Sequence, residues 1–284
     1  MEPLAVILEN LLRATGQLER GQANALRIGL RRLDLALPGL PAAFAGLKVL
    51  FMSDLHIDAL PGLGEAMARV AWGVEADVCL LGGDYRFRVK GPCHNVYHHM
   101  ERLLGGLKPP LGVHGILGNH DFAEEAQALS DMGVNMLVNR AHELRRGGKN
   151  LWLVGLDNAH HYDCDDLILA MEPVPAGDLA LLMVHSPELH REAARAGCAL
   201  YLCGHTHAGQ IRLPGLGAVM NNASCPRRMT AGLWQHEGMP GYTSFGAGSS
   251  MVPVRFNCQP EVVLLTLHQR DQKRLPIDHP GSDS

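Results

Sequence analysis

The sequence predicts an α/β fold built on a mostly parallel sheet, and three observations carry that prediction. Short apolar runs alternate with segments of helical spacing, the pattern of strands joined by crossover helices. Five of these runs stop at residues suited to a hard or borderline cation, as functional groups do at the carboxyl ends of parallel strands. The 284 residues are 46% apolar, enough for one large core that needs no staples.

Taken in order, residues 4 to 30 place Leu4, Ile7, Leu8, Leu11 and Leu12, then Leu18, Leu26 and Leu30, at helical spacing among Arg13, Arg20, Arg27, Arg31 and Arg32. This predicts an amphipathic helix or helical pair with a basic face, either solvated or resting on a membrane or a second subunit. Leu33, Leu35 and Leu37 alternate with Asp34 and Ala36, a strand ahead of Pro38 and Pro41. The organisation expected is a helical extension over 1–32, one domain over 33–270 and a flexible polar tail over 271–284.

The five runs that end in ligand-type residues follow. Lys48 to Met52 leads to Asp54 and His56, Asp77 to Leu81 to Asp84, and Val113 to Leu117 to Asn119 and His120. Leu179 to Val184 leads to His185, and Ala199 to Cys203 leads through Gly204 to His205 and His207. Leu63 to Val74, Val96 to Leu107 and Glu124 to Met132 have the spacing of crossover helices, with His94, His98 and His99 as surface residues of the second. Val134 to Val138 and Leu151 to Leu156 are two more strands. Ser186 to Gly197 is a helix, with Pro187 early and Gly197 at its end. Ile211 to Leu213 is a short strand, and 214–245 a long Gly-, Asn- and Pro-rich loop carrying Arg227 and Arg228 with Met220, Met229, Leu233 and Trp234. Glu261 to Leu267 closes the sheet.

Composition removes some classes of function. A net charge of -4 carries no global basic footprint, so nucleic acid is not an expected partner. Seven scattered cysteines without a Cys-x-x-Cys pair fit reduced thiols in a cytoplasmic protein better than disulfides or a thiolate zinc site. No apolar run of about eighteen residues is present, so no membrane-spanning helix is expected. Glu2, Glu9 and the absence of a basic start argue against a secretory signal.

The chemistry centres on Leu202 to Gln210, Leu-Cys-Gly-His-Thr-His-Ala-Gly-Gln. A strand period of two sends His205 and His207 to one side, a place to hold metal. An isolated His-x-His is more often a polar loop than a metal site; four other strands ending in ligands change that balance.

Asp54-Leu55-His56, Gly83-Asp84, Gly118-Asn119-His120-Asp121, His185 and Gly204-His205-Thr206-His207 resemble, in order and across 47–267, the block pattern of the calcineurin-like metallophosphoesterases. Leu40-Pro41 through Leu47, and Ser249 through Arg255 ahead of Pro260-Glu261-Val262, look like the bacterial phosphodiesterases related to UDP-2,3-diacylglucosamine pyrophosphatases. The resemblance implies an αββα sandwich, two mixed sheets packed together with helices on the outer faces. It also implies a dinuclear metal-dependent phosphohydrolase acting on a phosphodiester or pyrophosphate bond, with a nucleotide-linked lipid precursor such as UDP-2,3-diacylglucosamine as candidate substrate. Its competitors are a soluble cyclic-nucleotide or nucleotide phosphodiesterase, a protein phosphatase, and a non-catalytic scaffold of the same fold.

Two divalent ions about 3.5 to 4 Å apart can hold a hydroxide and neutralise the oxygens of an in-line displacement at phosphorus. Such a pair needs a bridging carboxylate, and Asp84 is the candidate because one carboxylate offers two oxygens. The resemblance implies that Asp54, His56 and His207 hold one ion and Asn119, His185 and His205 the other. Mixed nitrogen and oxygen donors favour manganese, iron or zinc over magnesium, with manganese first. By resemblance His120 protonates the leaving oxygen or stabilises the transition state, and Asp121 could orient it. Many relatives carry an acidic residue where Phe87 stands here. Arg86, Arg88, Arg227 and Arg228 are candidate phosphate-binding forks. His160 and His161, after Asp157-Asn158, are further possible ligands. The expected location is the cytoplasm or the inner membrane face.

Overall fold

The computed structural model describes residues 3–160, 162–218 and 222–269. Its first half runs α1 (Pro3–Ala14), α2 (Leu18–Ala25), β1 (Gly29–Leu37), β2 (Leu47–Met52), α3 (Leu63–Ala71), β3 (Val78–Leu81), α4 (His94–Gly105), β4 (Val113–Gly115), α5 (Ala123–Asp131) and β5 (Asn135–Met136). The second half runs β6 (Arg140–Arg146), β7 (Lys149–Gly155), α6 (Leu167–Met171), β8 (Ala180–Met183), α7 (His190–Arg195) and β9 (Leu200–Cys203). It ends with β10 (Arg212–Leu213), β11 (Gly217–Ala218), β12 (Gly232–His236), β13 (Met239–Thr243) and β14 (Glu261–Gln269).

These strands form not one sheet but two, of six strands each, in the orders β1-β14-β2-β3-β4-β5 and β12-β13-β9-β8-β7-β6. Both are mixed: in the first only β14 and β2 pair antiparallel, in the second β12 with β13 and β6 with β7. Apolar side chains on both faces of each central strand explain the layering. Val49, Phe51 and Leu80 meet Leu153, Leu181 and Leu202 in a core between the sheets. Leu50, Met52 and Leu81 face α3 and α4 through Met67, Met100 and Leu103. Val154, Leu182 and Tyr201 face the other way, against Ala170 of α6 and Ala193 of α7. The result is an αββα sandwich.

Several boundaries differ from the sequence reading. The first strand begins at Gly29, so the helical extension ends at Ala25 and not at 32; nine parallel pairs with β14, Gly29 to Leu37, outweigh the helical spacing of Leu26 and Leu30. The 186–197 helix shortens to α7 behind a single 3-10 turn. The stretch 214–245 is not one loop: its end folds into the β12–β13 hairpin, and β13 joins the sheet beside β9. Met229 and Trp234 are therefore buried, while Leu233 is exposed. Strand β6 is polar on its outward face, which hid it from a search for apolar runs. Met220, His161 and the 271–284 tail lie outside the described residues. All seven cysteines are free, and no helix among the described residues is long and apolar enough to cross a membrane.

Candidate metal centre

The carboxyl ends of β2, β3 and β4 in one sheet and of β8 and β9 in the other meet at one rim. Asp54 and His56 follow β2, Asp84 follows β3, Asn119 and His120 follow β4, His185 follows β8, and His205 and His207 follow β9. Asp54, His56, Asp84, His185, His205 and His207 are all buried. Three groups of possible ligand atoms lie within 4.8 Å of one another: Asp54, His56 and His207; Asp54, Asp84 and His185; and His56, Asp84 and His120.

Asp84 stands between the two halves. Its Oδ2 lies 3.5 Å from His56 Nε2 and 3.3 Å from His185 Nε2. On the first side, His207 Nε2 is 3.2 Å from His56 Nε2 and 3.4 Å from Asp54 Oδ1. On the second, His205 Nδ1 is 2.8 Å from Asn119 Oδ1. Outer ring nitrogens are engaged by main-chain carbonyls: His56 Nδ1 by Arg86 at 2.8 Å, His185 Nδ1 by Gly82 at 2.7 Å and His205 Nε2 by Asn222 at 2.6 Å. A ring that donates outward keeps its inner lone pair for a cation.

The donor set fits a cation on two counts. His185 Nε2 is fully buried and has no hydrogen-bond partner, since its approach to Asp84 falls outside bonding geometry. Charge points the same way. Burial, then the field of Asp84 against the relief from His185, lifts Asp54 to about 6. Burial holds His56 and His205 down to about 3, neutral and able to donate a lone pair. Burial opposes charge on His185 too, yet Asp84 and Asp54 together raise it to about 10, so the carboxylate pair demands positive charge nearby.

The backbone is strained to build this rim. Asp54, His56, Asp84, His205 and His207 all have φ between 37° and 69°, a region costing non-glycine residues on the order of 1 kcal/mol each. Two glycines permit the close approach. A Cβ on Gly118 would lie 2.2 Å from Asp84 Oδ1, and one on Gly204 would lie 2.1 Å from both Asp54 Oδ2 and Ser53 Oγ. Gly204→Ala should therefore push Asp54 out of place, costing roughly 1–3 kcal/mol. Thermal unfolding and bound-metal analysis check this; an unchanged metal content would remove the packing argument.

Not every sequence-predicted residue stands where expected. His120 sits at the rim, its Nδ1 bonded to the Phe87 carbonyl at 2.8 Å and its ring 4.7 Å from that of His56. Asp121 does not orient it. Its carboxylate turns inward and accepts the amides of Asp84 at 2.7 Å, Tyr85 at 2.9 Å and Gly118 at 2.8 Å, locking two ligand loops together. Burial and then Asp84 push that carboxyl up to about 7. Phe87 supplies through its carbonyl the support for His120 that an acidic side chain was expected to give. Arg86 is no substrate fork: its buried head pairs with Glu125 at 2.9 Å and donates to the Gly91 carbonyl at 2.7 Å. Arg88, Arg227 and Arg228 are exposed. The last two line a cleft of about 250 Å³ with Arg212. Thr230, also in its wall, accepts the Thr206 hydroxyl at 2.6 Å, which joins the cleft to the His-x-His loop. His160 lies 4.1 Å, ring to ring, from His205 and pairs with Glu188 at 2.8 Å.

Sequence reasoning missed Arg255 as part of the site. It is fully buried, donates to the His207 carbonyl and to His207 Nδ1, each at 3.1 Å, and also reaches Ser249 and the carbonyls of Gly246 and Gly248. His207 alone among the four imidazoles thus faces a cation at its outer nitrogen, and burial followed by that charge holds it well below the usual histidine range. The Ser249–Arg255 block was read only as a family resemblance, and nothing in its spacing says that the arginine turns back onto His207.

Fold and donor set define a class: a metal-dependent phosphoesterase, a hydrolase. Residues 47–224 match the calcineurin-like phosphoesterase superfamily domain, and the chain belongs to that family. Among its relatives, phosphodiesterase YaeI of Escherichia coli (strain K12) is 29% identical over 235 residues, 78% of this chain and 83% of that protein. Metallophosphoesterase YkuE of Bacillus subtilis (strain 168) is 28% identical, covering 80% and 81%. A transmembrane protein with metallophosphoesterase domain from Bos taurus is 27% identical over 93% of this chain and 62% of its own length. Family and ligand cluster together imply a divalent metal site.

Proposed function

We propose that this enzyme hydrolyses a phosphodiester or pyrophosphate bond in a nucleotide-linked lipid precursor of the UDP-2,3-diacylglucosamine kind, at the cytoplasmic face of a membrane it touches through its N-terminal helices. The observation that carries the hydrolytic reading is the placement of Asp84 between two sets of donors at one strand-end rim. Asp54, His56 and His207 would hold one cation and Asn119, His185 and His205 the other, with Asp84 placed to serve both. Manganese suits the mixture of imidazole and oxygen donors. Two such ions, when bound, would supply Lewis acidity that offsets negative charge on phosphoryl oxygens and lowers the pKa of water.

The chain's own groups do the rest. His120 donates its Nδ1–H to the Phe87 carbonyl, which leaves Nε2 for the substrate; as the imidazolium the ring would pass its Nε2 proton to the departing oxygen and return to the neutral Nδ1–H form. Asp121 fixes the Asp84 and Asn119 loops at Gly118. Arg88, Arg227 and Arg228 meet a phosphate beyond the scissile one. Neutralising Arg227 and Arg228 together should raise KM for a diphosphate-containing substrate about tenfold while leaving that for a small aryl phosphodiester within about twofold. Equal effects on both would remove this role.

The test is a manganese-supplemented panel of an aryl phosphomonoester, an aryl phosphodiester, a cyclic nucleotide and UDP-2,3-diacylglucosamine. The proposal expects diester turnover and release of UMP from the last. Turnover of the monoester alone would overturn it, and preference for the cyclic nucleotide would move the substrate to the soluble class.

A further inference from the structure

The expected basic face of the N-terminal helices is not what α1 presents. Its inward side, Ala5, Leu8 and Leu12, packs on Ile211, Val252, Val254 and Phe256, while Leu4, Ile7 and Leu11 point outward at 50, 65 and 59% exposure. Its one basic residue, Arg13, is paired with Glu9 at 2.9 Å. Ile211, on which α1 rests, leads directly into the β10–β11 hairpin. That hairpin is anchored where the Arg212 amide meets the Phe256 carbonyl at 3.0 Å, and it exposes Leu213 and Leu216 at 48 and 74%. Half of the large apolar side chains exposed among the described residues thus lie on these two neighbouring elements.

Charge singles out one occupant. From Ala208 to Trp234 the chain carries Arg212, Arg227 and Arg228 and no aspartate or glutamate, in a protein of net charge -4. The three arginines line the cleft that Leu216 also lines, beside the His205–His207 loop. Apolar side chains that bury in an acyl layer next to cations that meet phosphate headgroups are the two signals a peripheral membrane site combines.

We infer that α1 and the β10–β11 hairpin form one docking face for an anionic lipid bilayer, with Leu4, Ile7, Leu11 and Leu213 entering the headgroup boundary and the arginine cleft facing the phosphates. This rests on the lipid-substrate reading above and defines the surface that reading needs. The metal rim, tied to the cleft through Thr206 and Thr230, then opens at the bilayer surface, where a substrate with its acyl chains still embedded can present its phosphates.

Co-sedimentation of the full chain with vesicles tests this, using phosphatidylcholine alone and phosphatidylcholine mixed with phosphatidylglycerol. Binding is expected to the mixed vesicles, weakening as salt is raised, with little to the neutral ones. Ile7→Asp with Leu11→Asp, and separately Leu213→Asp, should each lower vesicle binding at least about tenfold. Hydrolysis of a soluble aryl phosphodiester, which also reports folding, should stay within about twofold of the parent in these variants. Equal binding by parent and variants, or no preference for the anionic vesicles, would overturn the inference. So would a second copy as the occupant: a concentration-dependent dimer in sedimentation velocity, abolished by Ile7→Asp with Leu11→Asp. An unmodified chain that binds vesicles but cleaves no diester would instead defeat the catalytic reading and leave the docking face standing.

Discussion

Asp84→Ala is expected to empty the centre and lower diester turnover by at least about 10³-fold, because it removes the one carboxylate within 3.5 Å of donors on both sides. The side chain also holds the rim loop, its Oδ1 accepting the His120 amide at 2.8 Å. Asp84→Asn separates the two roles, since an amide oxygen can still accept that bond but brings no charge to a cation pair. Metal per chain, measured by plasma mass spectrometry, should fall in both variants. Two ions retained in Asp84→Asn would show that the shared carboxylate is not what holds them.

His120→Gln should do the opposite: keep the metal and lose about 10²- to 10⁴-fold in turnover, the range typical of a lost general acid. His120 is half-buried and anchored through Nδ1 to Phe87, which leaves Nε2 facing the rim. Its nitrogen also falls within ligand distance of His56 and Asp84, so the two roles give opposite metal readouts. If metal content drops with turnover, His120 is a ligand and the proton must come from elsewhere. An unchanged KM beside the lowered kcat would place its contribution in the transition state.

Much of this site was legible one residue at a time. Asp54, His56, Asp84, Asn119, His185, His205 and His207 each follow an apolar run, and a strand advertises itself locally by its length and its abrupt end. Arg86 was misread because charge beside a ligand block looks the same whether it meets solvent or a buried carboxylate 39 residues away. Asp121 was misread for a related reason. Adjacency to His120 in the chain says nothing about direction, and its side chain turned toward three amides instead. The hairpin at 232–243 lacked an unbroken apolar run, because its strands have one outward face and only a tight Glu237-Gly238 turn joins them.

The order of the ligand types, the strands that deliver them and the class of chemistry were determined by the sequence alone, since each depends on a pattern a few residues long. The division of the strands into two sheets, the inward turn of Asp121, the Arg255 clamp on His207 and the meeting of α1 with the β10–β11 hairpin were decided only by the tertiary structure. Each of these is a contact between segments distant in the chain, and its energy exists only once burial has removed water from between them.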